Sequence, residues 1–317
     1  MRKLAIIDDY EELALKFGDW DGLPEGIHID IFKDHLDDES AVADRLHPYE
    51  ILVIMRERTP FPRSLIEKLS NLKLLVTTGS RNQSIDLSAC SEKGIVVCGT
   101  ESKKSAPAEL TWALILAVMK RIPQADHATR MGRWGGTVTT ELDGKILGIL
   151  GLGRLGTKVA QVGLAFGMKV IAWSQNLTES QASEIGAVRV EKDELFSDSD
   201  IISIHLVLSD RTQGLVGARE IALMRSTAYI VNTSRGPIIQ EGALIEALQA
   251  EKIAGAGIDV FDTEPLPPNH PFLTLTNTVI TPHIGYVSRE NFQTYFKQAS
   301  EDVAAWLNGK PVRILHP

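Results

Sequence analysis

Lys145-Ile-Leu-Gly-Ile-Leu-Gly-Leu-Gly-Arg-Leu-Gly-Thr-Lys-Val-Ala160 decides the fold. The apolar run 145–150 reads as a buried strand, and Gly151, Gly153 and Gly156 follow it in GxGxxG spacing where a helical stretch begins. The three glycines serve separate ends. The first permits a tight turn, the second lets backbone approach a pyrophosphate closely, and the third lets the helix pack on the strand. The N–H groups left over at the helix start, around Arg154 and Leu155, then face phosphate oxygens. At the end of the next strand a carboxylate would ordinarily hold the ribose hydroxyls of NAD. Here Trp173-Ser-Gln-Asn176 offers Ser174 and no acid. Nothing there repels a 2′-phosphate, and no arginine there grips one, so NADP and NAD both stay open with a slight lean to NADP.

Short runs rich in Ile and Val extend the pattern in both directions. Residues 169–173, 201–206, 228–232, 255–259 and 279–281 follow the glycine turn; 3–7, 27–32, 51–55, 72–77 and 95–97 precede it. Helical stretches separate them, which is how buried parallel strands in an α/β protein read. Between the two series, residues 106–130 read as one long helix, with Leu110, Leu114, Ala117, Val118 and Arg121 on a face suited to bridging domains or building a dimer. An amphipathic helix over 289–307 closes the chain. If it packs on the first series, a doubly wound dinucleotide domain (104–283) is inserted in a discontinuous flavodoxin-like substrate domain (1–103 plus 284–317), with room for a cleft between them.

At 317 residues the chain exceeds what one core usually organises. Its 44% hydrophobic and 23% charged residues are near the soluble average, so folding throughout is expected. A net charge of −8 without a long basic run speaks against nucleic acid as a partner, though a few arginines in a cleft can still bind small anions. Cys90 and Cys98 lack CxxC spacing and a nearby histidine cluster, so they read as reduced thiols and no metal site is expected. The N-terminus, with only a short apolar run before Asp8 and Asp9, lacks the apolar length of a signal peptide, and no run reaches the roughly 20 residues that span a bilayer. A cytoplasmic location without membrane contact is the expectation.

Three polar residues stand at strand ends of the second series, where open α/β sheets bind ligands. They are Arg235 in Val231-Asn-Thr-Ser-Arg-Gly236, Glu264 in Gly257-Ile-Asp-Val-Phe-Asp-Thr-Glu-Pro265, and His283 in Thr281-Pro-His-Ile-Gly285. An arginine matches a carboxylate bidentately, a histidine passes protons near neutral pH, and a carboxylate orients a histidine and favours its charged form. Singly, each also reads as a packed side chain, a cap or a surface ion pair. Their co-occurrence with the glycine turn points to hydride transfer on a hydroxy acid.

Gly151-Leu-Gly-Arg-Leu-Gly156, Asp200-Ile-Ile-Ser-Ile-His205, Val231-Asn-Thr-Ser-Arg-Gly236, Asp259-Val-Phe-Asp-Thr-Glu-Pro-Leu266 and Thr281-Pro-His-Ile-Gly285 stand in order along the chain, which resembles the D-isomer-specific 2-hydroxyacid dehydrogenases over nearly its whole length. The resemblance implies that Arg235 binds the substrate carboxylate and polarises its carbonyl, that His283 is the acid/base, and that Glu264 pairs with it. It implies that Asp259 holds the nicotinamide carboxamide, that His205 and Thr233 are cofactor contacts, that backbone at Gly79 and Ser80 holds the substrate carboxylate, and that the enzyme is a homodimer through its dinucleotide domains. The family's substrate loop, Gly-x-Gly-x-Asp-Asn, reads here Gly79-Ser-Arg-Asn-Gln-Ser84, and Val207 stands where a proline is usual. Formate-specific relatives carry glutamine at the place of Glu264, and the longer phosphoglycerate dehydrogenases carry a regulatory extension not expected here. Arg56, in a stretch similar to one that binds phosphate in those enzymes, and Arg81 in the loop are candidates for a second anion subsite. The alternative from another class is a dinucleotide-sensing binding protein of the corepressor type that shares this fold.

Overall fold

The computed structural model describes residues 1–103, 105–136 and 138–317. Their strands form two all-parallel sheets. The first holds β1 (Arg2–Ile6), β2 (Ile27–Ile31), β3 (Ile51–Ile54), β4 (Leu74–Thr77) and β5 (Val96–Gly99) in the order β2-β1-β3-β4-β5, the flavodoxin-like order. The second holds β6 (Ile146–Leu150), β7 (Lys169–Trp173), β8 (Val188–Arg189), β9 (Ile201–Ile204), β10 (Tyr229–Asn232), β11 (Gly255–Ile258) and β12 (Thr278–Ile280) in the order β12-β11-β10-β9-β6-β7-β8, doubly wound about β6. Every residue of β3, β4, β9 and β11 is buried, as continuous apolar runs in parallel sheets require.

The chain divides into two compact units, Met1–Lys103 with Val287–Pro317, and Lys104–Tyr286. In the first, the helix Arg289–Leu307 packs on β4 and on the helix Ala14–Phe17, burying Phe292, Tyr295, Phe296, Ala299 and Val303. Each large side chain removed from water there contributes roughly 1.5–3 kcal/mol. Ser288 fixes the helix start, its hydroxyl accepting the Asn291 N–H at 3.2 Å. The tail then adds to the β5 edge, Leu315 donating to the Val97 carbonyl at 2.8 Å.

The single helix expected over 106–130 is two. Ala106–Met119 ends at Lys120, Arg121 takes a left-handed φ of +50°, and Ile122–Arg130 starts anew. Pro123 has no N–H to give the Met119 carbonyl and its ring would clash with that carbonyl in a continuous helix, so the break falls where the sequence puts it. The two pieces also differ in burial. The first buries Trp112, Leu114, Ile115, Val118 and Met119 against the second sheet, whereas the second buries no residue. Cys98 lies within β5 rather than after it; burial pushes the Cys90 thiol up to about 11 and that of Cys98 to about 12. No helix among the described residues is long and apolar enough to cross a membrane.

Candidate active site

The glycine turn forms at the β6 end with the geometry its spacing requires. Gly151 has φ +107°, and a Cβ there would lie 2.8 Å from the His205 carbonyl carbon. A Cβ on Gly156 would overlap the Gly151 carbonyl oxygen, so the helix Arg154–Ala165 can approach the strand only with glycine there. Gly153 has open space where its Cβ would be. Beside it a cavity of about 730 Å³ is walled by Gly153 and Arg154 of the turn, Ser174 and Asn176 at the β7 end, and Val207 and Arg211 after β9. An exposed glycine backbone, a helix N-terminus and a cavity of this size fit the phosphates and adenosine of a dinucleotide. The Ser174 hydroxyl accepts the Leu152 N–H at 2.9 Å, tying the β7 end to the turn. His205 faces Ser203, its Nε2 lying 2.8 Å from the Ser203 hydroxyl, and burial lowers its pKa to about 4. Thr233 pairs with Thr111 at 2.7 Å.

Within the same unit, Arg235, Glu264 and His283 stand in the loops that follow the other strands. His283 Nδ1 lies 2.6 Å from Glu264 Oε2, while Glu264 Oε1 accepts the Phe261 N–H at 2.8 Å. The carboxylate is thus anchored on one side and orients the imidazole with the other, which leaves Nε2 to meet a substrate. His283 itself sits at φ +52°. That backbone is held by Asp259, fully buried at the β11 end: Oδ1 accepts the Thr281 hydroxyl at 2.6 Å and the Ile284 N–H at 2.8 Å, and Oδ2 accepts the Gly285 N–H at 2.9 Å. Burial raises the Asp259 pKa against the pull of these donors and of His283. Sequence reasoning gave Asp259 a cofactor contact and missed this clamp, which a Thr and two backbone donors around His283 could not signal beforehand.

Arg235 follows β10. Asn232 shapes its loop, donating to the Arg235 carbonyl at 2.9 Å and accepting the Ser234 N–H at 3.0 Å; the Ser234 hydroxyl donates to the Ile204 carbonyl at 2.8 Å. Arg235 Nη1 donates to the Ser234 carbonyl at 2.7 Å, fixing part of the guanidinium. Gly236 admits no Cβ, because the Phe261 backbone lies where it would go. The loops of Arg235 and Glu264 are therefore packed on each other.

In the first unit, the loop after β4 is built around buried Asn82, which donates to the Arg56 carbonyl at 2.6 Å and to the Thr77 hydroxyl at 2.9 Å. The expected carboxylate cradle is narrowed here. The Gly79 N–H donates to the Thr100 hydroxyl at 2.7 Å, whereas the N–H groups of Ser80 and Arg81 meet no protein acceptor among the described residues. Arg56, at φ +49°, lies against Gly79, where an added Cβ would be 2.6 Å from its Nη1, and its Nε is 3.5 Å from Glu57. Arg81 is exposed.

The family model described as "D-isomer specific 2-hydroxyacid dehydrogenase, NAD binding domain" matches residues 112–285. The chain is 40% identical over 256 residues to a glyoxylate reductase of Aeropyrum pernix, covering 78% of this chain and 76% of that one. It is 33% identical to a D-3-phosphoglycerate dehydrogenase of Archaeoglobus fulgidus over 98% of this chain, which spans only 58% of that longer relative. A phosphoglycerate oxidoreductase from Vibrio cholerae superposes with TM-score 0.91 at 36% identity, covering 98% of this chain and all of that one. A D-lactate dehydrogenase from Aquifex aeolicus solved with NAD and lactic acid (28% identity, TM-score 0.76, 96% of both chains) is also similar. So is an acyclic imino acid reductase solved with NADPH and D-Arg (28%, TM-score 0.73, 99% of this chain and 100% of that one). With a flavodoxin-like sheet, a doubly wound sheet carrying GxGxxG, and the Glu264–His283 pair in the matched region, the chain belongs to the D-isomer specific 2-hydroxyacid dehydrogenase family, nicotinamide-dependent oxidoreductases of 2-hydroxy and 2-keto acids.

Proposed function

We propose that the enzyme works as a reductase of a small 2-keto acid, with Arg235, Glu264 and His283 as its catalytic group. The observation that carries this reading is the 2.6 Å contact of His283 Nδ1 with Glu264, on the same unit as the glycine turn. When bound, a nicotinamide would supply the hydride to the carbonyl carbon. His283 Nε2 delivers a proton to the carbonyl oxygen, and Glu264 balances the imidazolium while holding the ring. Arg235 grips the substrate carboxylate and stabilises the growing oxyanion. Asp259 keeps the His283 loop in its left-handed turn. Gly151, Gly153, Arg154, Leu155, Gly156, Ser174, His205 and Thr233 form the dinucleotide site. On this reading residues 104–283 are the dinucleotide domain, and 1–103 with 284–317 the substrate domain.

The relatives named as glyoxylate reductase and phosphoglycerate dehydrogenase set the substrate panel: glyoxylate, hydroxypyruvate, pyruvate and phosphohydroxypyruvate. Oxidation of NADH or NADPH followed at 340 nm should respond to at least one of them, and His283→Ala should abolish the response. Silence across the panel would overturn the proposal and restore the binding-protein alternative, which the complete Arg235, Glu264 and His283 set disfavours.

A homodimer through the second unit is part of the proposal. Met131, Trp134 and Val138 are 65%, 92% and 96% exposed beyond the helix Ile122–Arg130, an apolar stretch that a second copy would cover. Sedimentation should give twice the 34.8 kDa chain mass, and Trp134→Glu should give monomer. Two free, buried thiols support a reducing, cytoplasmic location.

A further inference from the structure

Arg211 stands in the loop after β9, 35 residues beyond Asn176 in sequence, yet both line the same cavity beside the glycine turn. That cavity departs from the charge of the chain as a whole. Its wall carries two arginines, Arg154 and Arg211, and one acid, Glu184, in a protein of net charge −8. Several arginines of this unit are held by acids: Arg189 by Glu191 at 2.9 Å, Arg219 by Asp193, Arg130 by Asp126 at 2.9 Å. Neither Arg154 nor Arg211 has an acidic partner among the described residues. Arg154 opens the helix Arg154–Ala165, the end that faces a pyrophosphate. Arg211 has no such role.

The wall around it is neutral where an NAD site would place an acid. Ser174, Gln175 and Asn176 end β7, and the Ser174 hydroxyl already accepts the Leu152 N–H, so its own proton is left to donate. Asn176 adds a side-chain amide. Glu184 is engaged by the Ser180 hydroxyl at 3.3 Å, one turn back on its own helix. A cavity that holds the adenosine end of a dinucleotide, offers donors at the ribose and includes an unpaired guanidinium suits a phosphomonoester dianion on that ribose.

We propose that Arg211 takes the 2′-phosphate of NADP(H), with Ser174 and Asn176 as its neutral co-donors, so that cofactor choice is set by the loop after β9 as well as by the β7 end. This rests on the dinucleotide site proposed above.

Calorimetric titration of the purified enzyme without substrate, with NADH, NADPH and adenosine 2′,5′-bisphosphate as probes, tests it. Arg211→Ala should weaken NADPH and the bisphosphate by roughly 10- to 150-fold, the worth of a lost charge-assisted hydrogen bond, while NADH changes less than about threefold. Arg211→Lys should recover part of the loss. Wild-type affinity for NADPH should also fall more steeply with salt than that for NADH. An equal loss for both cofactors would overturn the assignment and place Arg211 against the adenine, and unchanged binding would remove it from the site. Failure of the wild-type enzyme to bind either cofactor would overturn the dinucleotide site as well, which separates the two failures. A melting curve of each variant that matches wild type excludes misfolding as the cause.

Discussion

Glu264 reaches His283 Nδ1 with one carboxylate oxygen at 2.6 Å while the other accepts the Phe261 N–H at 2.8 Å. The second contact matters as much as the first. A carboxylate anchored to backbone cannot swing away when the imidazole gains or loses its proton, so the ring keeps its orientation through the reaction. Glu264→Gln keeps the shape and can keep the Phe261 contact, but the amide cannot balance an imidazolium. We expect kcat for keto acid reduction to fall about 100- to 1,000-fold, inside the range that a positioned acid/base group contributes, with cofactor Kd unchanged. A kcat within twofold of wild type would remove Glu264 from proton transfer.

Asp259 acts one step further back, since it touches the backbone on the far side of His283 rather than the ring. Asp259→Asn replaces an acceptor by an N–H donor facing Ile284, Gly285 or Thr281, inside a fully buried site. The expected cost is about 1.5–3 kcal/mol of local stability, the value of a charge-assisted hydrogen bond. Amide exchange at Ile284 and Gly285 should speed up and kcat should fall, with the Arg235 loop still protected. If exchange at those two amides is unchanged, the clamp is not what holds the loop.

A pH effect on stability should come from the first unit. His35 Nδ1 lies 3.1 Å from buried Asp8, which also accepts the Thr59 hydroxyl at 2.7 Å. The bond to Asp8 raises the His35 pKa above 6.5, with burial opposing and Asp37 assisting. A histidine with a raised folded-state pKa binds its proton more tightly folded than unfolded. Its stabilisation is complete below pH 6.5 and is lost as pH rises through the folded-state value. His35→Gln keeps a hydrogen bond and drops the charge, so the melting-temperature difference between wild type and variant should narrow with rising pH above 6.5. A constant difference from about pH 6 to about pH 9 would show that His35 does not titrate in that window.

How much of this was legible in the sequence differs from residue to residue. The turn Gly151–Gly156 was, because Gly151 and Gly156 leave no room for a side chain and the constraint is local. The pairing of Glu264 with His283 was, because both stand in loops that follow strands of one parallel sheet, at the ends where such sheets bind ligands. The helix break at Arg121 was readable but overlooked: Pro123 marks it, and the apolar spacing across Val118 and Arg121 hid it. The Asp259 clamp and the place of Arg211 were not legible. Both depend on which strand ends lie side by side, through pairings such as β11 with β12 and β6 with β9, and that order follows from the packing of the whole sheet.

The last prediction concerns the far end of the substrate, where Arg56 and Arg81 were candidates for a second anion subsite. Their surroundings separate them. Arg56 lies 3.5 Å from Glu57 and against Gly79, so part of its charge is balanced and its position is fixed by the turn. Arg81 is exposed and has no acidic partner among the described residues, on a loop whose frame is held from below by Asn82. If a second anion is bound, Arg81 is the side chain able to reorient toward it without breaking an ion pair, and it gives up only exposed-side-chain freedom to do so. Arg81→Ala should therefore lower kcat/KM for oxaloacetate and phosphohydroxypyruvate by about 10- to 150-fold, the equivalent of about 1.5–3 kcal/mol, and leave pyruvate within about threefold. Arg56→Ala should reduce all three substrates together, because it removes support from the Gly79 turn. An equal loss for all three substrates in Arg81→Ala would assign Arg81 to loop architecture. No loss for any would mean that the loop binds substrate through its backbone alone, and that the preferred keto acid carries a single carboxylate.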